Sequence, residues 1–195
     1  LVGSEMCIRD SRCFIDQSNK LWAVTPLSLR RYNSSTLALE DSIPMQGIFP
    51  THFFMHTNGI LWLAGNRQIT LFDTHTHKFK ETPQALRSHP LLLHANVNYI
   101  HPYGSNSLLL NTDQQGMFLY NYVEGYVIHQ SENGFPFEVP RFKISTMFTD
   151  SQKNLWIGSV DQGYVVRYNY KERFNTNNHL SSYPVSYTHL TLPTT

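Results

Sequence analysis

The chain has 195 residues, 41% hydrophobic and 13% aromatic, enough material for one domain with a core of its own. A formal net charge of +1 and a charged fraction of 15%, against about 25% in ordinary globular proteins, argue against a nucleic-acid-binding face. No apolar run approaches the roughly 20 residues of a bilayer span, and the start lacks a secretory-signal pattern, so this segment is expected to make no membrane contact.

In chain order, residues 1–11 (LVGSEMCIRDS) come first, and like residues 185–195 (VSYTHLTLPTT) they fit none of the pattern between them. Both segments resemble peptides that arise when sequencing-adaptor DNA is translated, and both are expected to be non-native tails outside the fold. Residues 12–184 remain as the folding part, expected to have continued in both directions. The two cysteines, Cys7 and Cys13, form neither a disulfide framework nor a C-x-x-C zinc pair.

A repeat then runs through the chain: Leu21-Trp22-Ala23-Val24, Leu61-Trp62-Leu63-Ala64, Leu108-Leu109-Leu110 and Leu155-Trp156-Ile157-Gly158. Its centres, 22, 62, 109 and 156, are separated by 40, 47 and 47 residues (62−22, 109−62, 156−109). Periods of about 40–50 residues belong to four-stranded propeller blades or to some helical repeats. The contents of each copy favour strands. Six residues before the centres stand Asp16, His56, Tyr103 and Asp150, and three before stand Asn19, Gly59, Asn106 and Lys153. Asp suits the start of a turn, and Gly or Asn take positive φ in a tight hairpin. A third strand closes each copy on an aromatic and an Asx residue: Tyr32-Asn33, Phe72-Asp73, Tyr120-Asn121 and Tyr168-Asn169.

The connections carry the remaining polar residues. Glu40-Asp41 is read as a connection after the first copy. His75 and His77 lie in a polar turn of the second; their spacing would suit a metal pair, but no ligand cluster accompanies them. Residues 83–102 are the least repeat-like stretch, holding Arg87, His89, His94, Asn96, Asn98, Tyr99 and His101. That stretch reads first as a long fourth strand plus a connecting loop, and second as a polar-ligand loop. In the fourth copy, strands are expected at 144–148, 155–159 and 164–168, with turns at 150–153, 161–163 and 169–172 and a fourth strand from Arg173-Phe174. No window has the spacing of an amphipathic helix.

The fold class expected is all-β: a β-propeller of about four four-stranded antiparallel blades. A single blade cannot bury both faces, so the blades stack and the Trp positions become inter-blade core. The pattern Asp150-x-x-x-Asn154-Leu155-Trp156-Ile157-Gly158-Ser159, with Gly163 and Arg167-Tyr168-Asn169 after it, resembles the two-component-regulator propeller repeat. Residues 16–33 match nearly as well, residues 56–73 with His56 in place of Asp, and residues 103–121 loosely. The resemblance implies a periplasmic sensor region of a hybrid two-component histidine kinase, with about seven blades per ring. It also implies a poly- or oligosaccharide as the signal, a membrane anchor and kinase elsewhere, and a homodimer of the complete protein. Four blades would then be an open arc, its apolar end faces lying near Trp22 and Trp156.

No Gly-x-Ser-x-Gly elbow, phosphate loop or paired-carboxylate motif appears. No catalytic, cofactor or metal residue is therefore assigned, no cofactor is expected, and the residues that touch the ligand are left unassigned. The leading reading is a non-catalytic ligand sensor with a small carbohydrate as partner and no nucleic acid. The alternatives are a polysaccharide lyase or glycosidase built on a propeller, and a protein-interaction scaffold.

Overall fold

The computed structural model describes residues 12–56, 58–65, 67–139, 144–159 and 165–169. Four antiparallel meanders follow one another. The first joins β1 (Arg12–Ile15), β2 (Lys20–Val24), β3 (Ser28–Asn33) and β4 (Leu39–Pro44) in chain order. The second joins β5 (His52–Met55), β6 (Ile60–Gly65), β7 (Gln68–Asp73) and β8 (Lys78–Lys80). The third joins β9 (Val97–Tyr103), β10 (Ser107–Thr112), β11 (Met117–Asn121) and β12 (Tyr126–His129). The fourth shows β13 (Thr146–Thr149), β14 (Asn154–Gly158) and β15 (Val165–Asn169). Its expected turn at 161–163 and its strand from Arg173 lie outside the described residues, as do residues 1–11 and 185–195.

Turn chemistry explains why the chain reverses where it does. Asp16 Oδ1 accepts the backbone N–H groups of Ser18 and Lys20 at 2.8 and 3.0 Å, and Asp150 Oδ1 those of Gln152 and Asn154 at 2.9 and 2.8 Å. Asn19, Gly59 and Lys153 take positive φ, as their place in the repeat requires. The third copy differs: Gly104, not Asn106, takes the left-handed conformation there. Glycine has no Cβ to clash, so it takes up that conformation wherever the loop places it. After the third strand of the first three blades the Asx side chain caps the turn: Asn33, Asp73 and Asn121 each accept two backbone N–H groups from residues two and three ahead.

Strand alternation then builds three cores, one at each blade junction. Trp22, Val24 and Leu29 of the first sheet meet Leu61, Leu63 and Phe72 of the second. Trp62 and Ala64, on the opposite face of β6, meet Leu108, Leu110 and Phe118 of the third. Leu109 turns the other way and meets Leu155 and Ile157 of the fourth. The period of two sends adjacent residues to opposite neighbours, so a central strand can be apolar throughout. Each fully buried Leu or Phe stabilises the stack by about 1.5–3 kcal/mol. These are blades of a β-propeller in an open arrangement.

The open ends show where the arc stops among the described residues. Ile15 is 60% exposed in the first blade and Phe148 62% in the fourth. Trp156, paired with Phe148 across the strands, is only partly buried. Trp22 does not mark the other open face: it is fully buried, because β2 turns it towards the second blade. Two further expectations change. Glu40 and Asp41 belong to strand β4 rather than to a connection. The segment after residue 80 is not a long strand, since β8 covers three residues and a short helix α1 (Gln84–Ser88) and a 3-10 turn (Leu92–His94) follow. Pro83 ends the extended run, and Leu86 and Leu92 pack into the core between blades two and three. One helical turn is too short for its periodicity to show in the sequence. Among the described residues no helix is long and apolar enough to cross a membrane.

Candidate functional site

In blades two to four the first strands adjoin one another across the blade junctions, as the innermost strands of a propeller do. Strand β9 lies between β5 and β13, and side chains bridge all three. His52 of β5 donates through Nε2 to the Ile100 carbonyl at 3.3 Å. The hydroxyl of Tyr99 donates to the Met147 carbonyl of β13 at 3.2 Å and lies 3.5 Å from Thr146 Oγ1. His101 Nε2 sits 2.8 Å from Thr149 Oγ1.

His52, Tyr99 and Thr146 hold one register position. They pair with Ala64, Asn111 and Gly158, two residues beyond the pairs that contain 62, 109 and 156. The same face is therefore turned to the next blade in three successive blades, and the three side chains form a row in which His52 is buried, Tyr99 half-buried and Thr146 exposed. The His52 ring stacks on Tyr99 with centroids 4.3 Å apart and planes at 26°. In the first blade Arg12 occupies this register, opposite Val24.

A bulge adds to the row. The β9–β10 pairing shifts between Asn111 and Thr112, so Asn98 is the extra residue. Asn111, itself buried, donates through Nδ2 to Asn98 Oδ1 at 2.8 Å. Bulges re-aim side chains at functional rims. Just outside, Asn96 ties two turns together: its Oδ1 accepts the Arg67 backbone N–H at 2.9 Å, and its Nδ2 donates to Asp113 Oδ2 at 3.0 Å.

The electrostatics of the row are mild. Burial holds His101 down to about 4, so its ring is uncharged at neutral pH. Apart from the buried His52, the row therefore offers the His101 imidazole, the Tyr99 phenol, hydroxyls and amides. Such groups recognise neutral polyhydroxyl surfaces and do not by themselves supply a nucleophile or a general base.

The stretch 83–102 thus divides. Asn96, Asn98, Tyr99 and His101 join the inner rim. Arg87 pairs with Glu81 at 3.2 Å on the outer side. His89 packs edge-on against Phe118, and its burial lowers its affinity for a proton. His94 stands exposed on the 3-10 turn. His75 and His77 do not converge: His75 lies over Gly59, where a Cβ would collide with its ring, while His77 reaches to the first blade. Among the described residues no group of three His, Cys, Asp or Glu side chains could hold a metal.

Several acids are committed elsewhere. Asp16 and Asp150 accept the Trp22 and Trp156 indole N–H groups at 2.7 and 2.9 Å. Asp73 pairs with Lys80 at 2.8 Å, which with the turn N–H groups holds its carboxyl at about 2. Glu40 binds Lys20 and Arg31.

His52 is the site residue that sequence reasoning overlooked. The signal lay in the repeat: counting ten positions back from the centres gives Arg12, His52, Tyr99 and Thr146, a polar column in otherwise β-rich strands.

No family model matches the chain, and no curated protein does. Solved structures do. The extracellular domain of the hybrid two-component system BT3049 from B. thetaiotaomicron superposes with a TM-score of 0.59 at 18% identity, over 80% of this chain and 22% of that one. Two structures of the extracellular domain of BT4673 from the same organism, described as a one-component system in one and a hybrid two-component system in the other, give TM-scores of 0.57 and 0.51. Their identities are 19% and 17%, over 80% and 82% of this chain and 20% and 25% of those. The chain spans between a fifth and a quarter of these domains, and at such identities the likeness establishes the fold alone.

Proposed function

We propose that these blades are a ligand-sensing, non-catalytic part of a larger propeller in a hybrid two-component sensor, and that the ligand is a poly- or oligosaccharide. The observation that carries the reading is the inner-strand pair Tyr99 and Thr146, backed by the buried His52 and flanked by Asn98 and His101. Sugars present hydroxyls that need neutral donors and acceptors and C–H groups that pack on aromatic ring faces; the hydroxyls and amides of the row and the Tyr99 ring supply both. The commitment of Asp16, Asp73 and Asp150 to turns, tryptophans and Lys80 supports a non-catalytic role. Likeness to extracellular sensor domains supports placement of the segment outside the cytoplasmic membrane, in a membrane-anchored protein; that the complete protein is a homodimer is part of the same proposal.

Two experiments test this. The complete gene is expected to encode a membrane helix and a histidine kinase beyond the blades, and their absence refutes the sensor role. The complete extracellular region is expected to retain a subset of oligosaccharides on a glycan array and to lose most of that binding in Tyr99→Ala. Saccharide binding unchanged in that variant places the ligand elsewhere.

A further inference from the structure

We infer that His77 is a proton-sensitive clasp between the first and second blades, fastened while its ring is neutral and released from Arg31 when the ring takes up a proton.

Three observations meet at this residue. First, His77 spans the junction: Nδ1 lies 3.0 Å from Asp41 Oδ2 and Nε2 lies 2.6 Å from Arg31 Nη1. Its ring also meets the Trp22 indole edge-on at 5.7 Å. Secondly, it keeps a backbone conformation that favours glycine. The position four after the turn-capping Asx is Leu37 in the first blade, His77 in the second and Gly125 in the third, with φ of 55°, 55° and 71°. The conformation belongs to the turn, since the exposed Leu37 keeps it too, and it fixes where the His77 side chain leaves the backbone. Thirdly, the β3–β4 pairing shifts between Arg31 and Tyr32, leaving Glu40 as an extra residue. This bulge lets Glu40 and Asp41, normally on opposite faces, both serve the same cluster.

The proton inventory decides the state. A guanidinium always donates and never accepts, so Nε2 must present a lone pair to Arg31. The ring proton then sits on Nδ1 and donates to Asp41. The charged groups around the ring are themselves paired. Arg31 also pairs with Glu40 Oε2 at 3.3 Å, and Glu40 Oε1 holds Lys20 at 2.6 Å. On its own blade, Asp73 is bound to Lys80 and His75 covers Gly59. A proton added at Nε2 would bring two N–H groups face to face at the Arg31 contact. The ring keeps Asp41 and gives up Arg31, and the outer turn of blade two loses a polar tie to blade one.

The experiment is side-chain nitrogen–proton NMR of the chain with amide hydrogen exchange, at about pH 8 and about pH 5.5, a range across which imidazoles change charge. At the higher pH His77 is expected as the Nδ1–H tautomer. Once the spectra show a proton on both nitrogens of His77, exchange in β3 and β4 is expected to accelerate about tenfold beyond the chemical rate, the worth of one charge-assisted hydrogen bond. His77→Gln keeps an acceptor and a donor but takes no proton, and is expected to lose this pH response. An Nε2–H tautomer at pH 8 overturns the inference, as does an unchanged pH response in His77→Gln. The tautomer measurement on the parent chain stands even if the variant folds poorly.

Discussion

The indole nitrogen of Trp22 donates to the carboxylate of Asp16 at 2.7 Å, and Trp156 repeats the bond to Asp150 at 2.9 Å. One carboxylate thus does two things in each of these blades: one oxygen shapes the β-hairpin and the other orients the aromatic ring. Asp16→Ala is expected to lower stability by about 2 kcal/mol, since it strips the turn N–H groups and a buried indole N–H of their acceptor. Urea unfolding checks this, and Asp16→Asn, which keeps one acceptor oxygen, should fall between the variant and the parent.

Acid should weaken the same device in the fourth blade. The Trp156 indole and the Asn154 amide hold the Asp150 carboxyl at about 2, below its ordinary 3.8. Its folded value is depressed, so its contribution is complete above the ordinary value and is lost as pH falls towards about 2. Asp73, held at about 2 chiefly by Lys80, acts in the same direction. Denaturation midpoints between about pH 6 and about pH 2 should fall less steeply in Asp150→Asn than in the parent chain.

The two tryptophans should differ in cost. Trp22 is fully buried between two blades, and Trp22→Ala is expected to cost about 3–5 kcal/mol. Trp156 lies beside exposed Phe148, so Trp156→Ala should cost clearly less, on the order of 1–2 kcal/mol, mostly from its bond to Asp150. Equal losses in thermal or urea unfolding would mean that the fourth blade's outer face is covered in solution.

Gly65 ends β6 against the backbone of the connection that follows blade one. A Cβ there would collide with the Phe49 carbonyl and with Pro50 Cα, main-chain atoms that no rotamer change can move. Gly65→Ala is expected to cost about 2–3 kcal/mol or to abolish soluble expression. Gly47→Ala is the control: nothing lies within 4 Å of its Cβ, and only the cost of its φ of 82° remains.

The open end faces should drive association. Ile15 and Phe148 stand exposed on faces that in the middle blades pack against a neighbouring blade. Light scattering of the chain is expected to show concentration-dependent oligomers, reduced in an Ile15→Ser, Phe148→Ser double variant. A monodisperse parent with a sharp, cooperative melt would mean that the four blades close on themselves.

Much of this architecture is local and was therefore legible in the residues. The 40- and 47-residue spacings give four blades, Asp16, Asn19 and Asp150 mark hairpins, and Tyr32-Asn33, Phe72-Asp73 and Tyr120-Asn121 end third strands. Each follows from hydrogen bonds among neighbours or from a strand's period of two, which act over a few residues. The tertiary structure alone decided what the blades do to one another. The Arg31–His77, His52–Ile100 and Tyr99–Met147 contacts join residues 46, 48 and 48 apart, about one repeat each. Whether such residues meet depends on the angle and offset at which two sheets pack, which the combined volume of Trp22, Leu61, Trp62, Leu108 and their neighbours sets. No single strand encodes that volume. The repeat by itself puts a histidine ten positions before the centre of the second copy, and only the packing of the second blade on the third lays its ring on Tyr99.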